Sequence, residues 1–131
     1  MKKNLALIAL CFSLFFIQKQ QAQSIFDKWP ELDSFHKVMQ ETYHPSEEGN
    51  LDPIKERIDE MVEKAHSLKN KQAPAEFNTP EIMAAEENLY KGSLELQKLI
   101  EKESDDEVVI GSLESLHDVF HTIVGLCKHK E

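Results

Sequence analysis

Apolar positions along the chain recur in steps of three and four, the spacing that lines one face of an α-helix. Leu32, Phe35, Met39 and Tyr43 form one such stripe. Ile54, Ile58, Met61, Ala65 and Leu68 form a second, and Ile82, Ala85, Leu89, Leu96 and Ile100 a third. Val109, Leu113, Leu116, Phe120, Ile123 and Cys127 form the fourth. No stretch alternates with period two, so the pattern predicts no sheet. There is no internal repeat and no low-complexity tract.

Local signals bound the four stripes. Pro30, Pro53 and Pro80 stand at first helical positions, where the missing N–H costs nothing. Asp52 and Thr79 precede two of them as caps. The first helix is expected to stop at Tyr43-His44-Pro45, because the residue before a proline avoids helical geometry. The second is expected over residues 52–70, the third over 79–103 and the fourth from 104–106 to about Lys128. Asp105 and Asp106 suit the positive end of the last helix. Residues 46–51 and 71–78 are the main loops. Four amphipathic helices with short connections predict an all-α, antiparallel up-down-up-down four-helix bundle. Docking of helical pairs onto a partner chain is the alternative.

The N-terminus departs from this pattern. Lys2 and Lys3 precede an apolar run over residues 5–17, and a polar segment ending at Ala22 follows. That is the layout of a secretory signal peptide cut after Ala22 or one residue later. The run is about 13 residues, short of the ~20 that span a bilayer. Residues 1–22 are therefore read as a leader and 23–131 as the bundle domain. A lipoprotein reading would use Cys11, but Leu10 sits where a small residue is needed. A periplasmic or secreted protein with no stable membrane insertion is expected.

Composition narrows the function classes. The chain has 131 residues and a formal net charge of −9. The leader holds three lysines and no acid, so the remainder carries 12 basic and 24 acidic residues, net −12. Such a chain repels nucleic-acid phosphates. With 4 glycines there is no Gly-rich phosphate cradle. One cysteine, Cys127, remains after the leader, so no intrachain disulfide can form. Its thiol is buried, a metal ligand or a handle for a homodimer. No nucleophile–His–acid order stands out, and no catalytic residue is assigned.

The six histidines carry the most specific signal. On a helical wheel His36 lies about 40° from Leu32, and His117 about 40° from Leu113, with His121 about 80° away. His36 and His117 therefore face inward and His121 sits at the edge. His66 follows Ala65 and flanks the second stripe, and bundle topology would bring it towards the level of His36. His117-x-x-x-His121 is the spacing by which two imidazoles on one helical face grip one ion. The expected metal site is His36, His117 and His121. His44 with Glu48 forms a second candidate cluster, since His36 and His44 are about 12 Å apart in helical rise. Imidazole donors without paired inward glutamates favour zinc or copper over iron. The competing reading is that each histidine is a core residue bonded to a neighbour. Met39, Met61 and Met83 read as core filling. Glu47, Glu48 and residues 104–107 read as solvated, and Trp29 with Phe26 as a lid on the bundle end.

The final segment Val124-Gly125-Leu126-Cys127-Lys128-His129 resembles the tail of the cytochrome c prime family, exported four-helix bundles that bind haem covalently through Cys-x-x-Cys-His. One cysteine of that motif is absent here and the spacing differs, so covalent haem is not implied. The b-type bundle cytochromes are similar in size and export. They use a Met early in helix one and a His on the last helix, and His36 with His117 or His121 would have to stand in as axial ligands. The stretches at residues 44–51 and 116–121 also look like segments of uncharacterised secreted helical proteins of the Bacteroidetes type. The expected function is transition-metal binding, buffering or delivery. The alternatives are a haem-binding electron carrier and a cofactor-free interaction protein.

Overall fold

The computed structural model describes residues 24–129; the segment expected to be a leader, residues 1–22, and with it Cys11, lies outside them. The fold is all-α, with five helices and no strand among the described residues. These are α1 (Ile25–Lys28), α2 (Pro30–Glu47), α3 (Asp52–Asn70), α4 (Pro80–Glu101) and α5 (Asp106–Lys128). The four long helices match the four stripes. The stripe residues of α3 and α5 are all buried, and Leu32, Phe35 and Met39 of α2 are too. Helix α4 buries Ile82, Ala85, Leu89 and Leu96. Neighbours pack as α2 on α3, α3 on α4 and α4 on α5, and a more sparsely packed seam joins α5 to α2. Gly92 lets α4 approach α5 closely: a Cβ there would meet Leu116 Cδ1 at 2.9 Å.

Three expectations are corrected. The single turn α1 was not expected. Ser24 and Asp27 build a full capping box for it, and Ile25 anchors it in the core. Helix α2 does not stop before Pro45 but runs through it to Glu47. In the last turn a proline removes only one helical donor, the partner of the carbonyl of exposed Glu41. The Ser46 hydroxyl also donates to the Tyr43 carbonyl at 2.6 Å, which holds this end together. Met83 is not core: it is 55% exposed.

Polar residues inside the bundle follow a simple rule with one exception. Thr42 and Ser93 are fully buried, and each donates to the carbonyl one turn back, Val38 and Leu89, at 2.8 Å. Glu86 is buried to 5% exposure, and its Oε1 has no hydrogen-bond partner. Cys127 is fully buried, on the core side of the last turn of α5. No described helix is long and apolar enough to cross a membrane.

Candidate functional site

Four of the six histidines line one groove along the α2–α5 seam, a hollow of about 210 Å³. His36 and His44 come from α2, His117 and His121 from α5, with Tyr43, Gln40, Met39 and Phe120 between them. The groove exists because this seam is the loosest of the bundle, and because imidazole and phenol rings are flat enough to tile it.

His117 and His121 are one helical turn apart and meet edge to face, with ring centroids 4.4 Å apart and an interplanar angle of 82°. Their Nε2 atoms are 3.0 Å apart, so one Nε2–H donates to the lone pair of the other. That bond requires at least one neutral ring. The other face of His117 stacks on Tyr43, 3.9 Å between centroids and nearly parallel at 9°. Burial lowers the pKa of His117, and the neighbouring His121 adds to the effect, while Asp118 and Glu47 pull the other way.

His36 is held differently. Its ring packs against both Phe26 of α1, at 4.5 Å, and Phe120 of α5, at 5.3 Å, within 9° of parallel to each, and those two rings are themselves 6.4 Å apart. Phe35 backs Phe120 at 5.8 Å. Burial lowers the His36 pKa; Asp33 opposes this and the positive forms of His121 and His44 reinforce it. His44 is exposed and pairs with Glu47 through Nδ1 at 3.0 Å.

The expected site is therefore assembled in part. His117 and His121 are brought together, and His36 and His44 share their groove. His66 does not converge with them. It is exposed on α3 against Tyr90 of α4, 5.3 Å away, because it lies on the α4 side of its own stripe. Glu48 is exposed just past the end of α2, and Glu47, not Glu48, is the carboxylate beside His44. No group of three or more His, Cys, Asp or Glu side chains is gathered to hold a metal ion among the described residues. Trp29 does cap the bundle end, stacked on Phe77 at 5.9 Å. Phe26 lies instead across the α2–α5 seam.

A larger hollow, about 610 Å³, lies at the α4–α5 turn. Lys55, Glu103, Asp105 and Asp106 line it, and Lys55 pairs with Asp106 at 3.0 Å. It holds no imidazole or thiol and offers no chemistry beyond solvated charge. The polar residue that sequence reasoning missed is Glu86. It sits one position from the predicted Ala85, and a wheel places it on the buried side. In a chain with 24 acids, nothing but that placement distinguishes it.

No family model, curated protein or solved structure matches this chain. The resemblance to bundle cytochromes thus rests on the few residues quoted for it. Of those, Cys127 is buried and His129 is exposed beyond the end of α5.

Proposed function

We propose that the α2–α5 groove binds a transition-metal ion, zinc or copper, and that the protein is an exported metal-binding or metal-delivering bundle without catalytic activity. One observation carries the reading: two Nε2 atoms 3.0 Å apart on one helical face, in a groove open to solvent. Two nitrogens at metal–nitrogen bond lengths of about 2.0–2.1 Å from one ion lie about 3 Å apart when they occupy adjacent coordination positions. The depressed basicity of His117 keeps a lone pair available at neutral pH. Water would complete the shell, with His36 and His44 as the nearest further donors. The hollow of about 210 Å³ suits an ion with its waters, below the roughly 300 Å³ at which organic-ligand pockets begin. That weighs against haem.

The bundle is read as up-down-up-down. Side-chain pairs between neighbouring helices support this, because their numbers run in opposite directions. Glu31–Lys71 and Glu41–Arg57 join α2 to α3, and Glu87–Lys69 and Gln97–Asp59 join α4 to α3.

One observation favours a cofactor-free interaction protein instead. His36 and His117 each have an aromatic ring stacked on a face, as packing residues do. Thermal unfolding decides between the two. An ion present at 100 times its dissociation constant stabilises the native state by about 2.7 kcal/mol. The midpoint is expected to rise by several degrees with zinc or copper, to return with EDTA, and not to move in His117→Ala/His121→Ala. No rise with either ion would leave the interaction protein.

A further inference from the structure

Two buried polar atoms have no hydrogen-bond partner among the described residues: Trp29 Nε1, a donor, and Glu86 Oε1, an acceptor. Both belong to the same end of the bundle. Lys71 reaches Glu31 at 3.2 Å, which fixes the start of α2 against the end of α3. Lys69 reaches Glu87 at 2.8 Å, which fixes the first half of α4 against that same end. Trp29 stands two residues before Glu31, and Glu86 adjoins Glu87. Trp29 is 0% exposed, and its stacking on Phe77 closes this end together with α1 and residues 71–79.

A buried donor or acceptor without a partner is costly, and a water molecule that reaches one gains a strong bond. A carboxylate needs such bonds far more than a carboxylic acid does. We propose that Glu86 is a proton-operated switch for this end of the bundle: with Glu86 protonated the end is closed and dry, and ionisation draws water to the orphaned carboxylate oxygen and loosens α1 and the 71–79 segment, against which Trp29 packs.

Burial pushes the Glu86 carboxyl up to about 7, so the change falls near neutrality. The sign follows from the direction. A carboxyl whose folded value is raised contributes stability that is complete below its unfolded value, about 4.5, and is lost as pH rises through about 7. Charged and titratable groups at this end have partners of their own, apart from exposed Lys128 and His129 at the end of α5. From α2, Glu31 pairs with Lys71 and Asp33 with Lys37. From α3, His66 lies on Tyr90 and Lys69 pairs with Glu87. Lys28 of α1 pairs with Glu76. On α5, His121 bonds His117 in the groove and Cys127 is buried.

Trp29 is the single tryptophan of the chain, so its emission reports on this layer without labelling. The experiment is a fluorescence titration of the purified protein from pH 5 to 9, without added metal, on wild type and Glu86→Gln. The expected result is one transition near pH 7 in wild type, absent in the variant. Hydrogen exchange of residues 25–29 and 73–79, corrected for base catalysis, is expected to quicken roughly tenfold from pH 6 to pH 8, the factor that one unit of pKa displacement represents. It should not quicken in Glu86→Gln. A flat wild-type titration, or a transition that persists in the variant, overturns the proposal. If Glu86→Gln does not fold, the carboxyl ¹³C shift of Glu86 in wild type decides. A step near pH 7 supports the switch, and a step near 4.5 sinks it.

Discussion

The α2–α5 groove and the layer around Glu86 both hold titratable side chains against apolar surface, and they do so in opposite ways. In the groove the groups are imidazoles. A neutral imidazole is a flat ring, so His36 can lie against two phenylalanines and His117 on a tyrosine. Their nitrogens still reach each other or the solvent at the ring edge. In the Glu86 layer the group is a carboxyl, with no stacking face and a larger desolvation cost when ionised. There the neutral form is favoured by holding on to a proton; in the groove it is favoured by losing one. The lesson is that burial alone does not set the direction of a pH response. The same apolar environment gives opposite slopes according to which form of the group is neutral.

The largest effect that could break this comparison comes from the ring between the two helices. Phe120 packs against His36, Phe26 and Phe35, and it is 2% exposed. Phe120→Ala should cost about 3–5 kcal/mol in denaturant unfolding. A loss under about 1 kcal/mol would mean that the stack does not hold the seam.

Next comes Glu86. Glu86→Leu removes a buried acceptor without a partner and should stabilise the protein by about 1–3 kcal/mol at pH 8. The gain should shrink at pH 5, where the carboxyl is protonated. An equal gain at both pH values would mean that Glu86 does not titrate in the fold.

The acid side tests the groove. His36 and His117 both have lowered values, so the stability they contribute is complete above about 6.5 and is lost as pH falls through their folded values. Both rings are partly solvated, so the loss is under about 1 kcal/mol for each. His117→Leu should flatten part of this acid limb and leave the alkaline limb of Glu86 unchanged, as read from unfolding midpoints across pH. The smallest effect is the benchmark. Arg57→Ala breaks surface pairs to Glu41 and Glu60 and should cost less than about 1 kcal/mol with no change in either limb.

Most of the fold was legible from the chain. The α3 and α5 stripes, with Pro53 and the Asp105-Asp106 start, gave helices whose buried faces match the pattern residue for residue in α3 and with Val124 added in α5. The groove was legible only in part. A helical wheel fixes the angle of a side chain about its own axis, which sufficed for His117 and His121 on one helix. It does not fix which neighbour each flank meets, so His66 was sent to the wrong seam. Pro45 misled because a proline's cost depends on its distance from the helix end, and there it is small. Turn α1 was too short for any periodicity, although Ser24 and Asp27 carried its cap in plain view.

The seam that holds the groove joins the first long helix to the last, so its two sides are the most distant in sequence of any neighbouring pair of long helices. Closing it requires the whole intervening chain to be in place, and loop-closure entropy weighs most on this contact. The α3–α4 and α4–α5 pairs can dock while the seam is still open. The imidazoles should therefore be the last groups to come together as the chain folds, and the first to separate when it breathes.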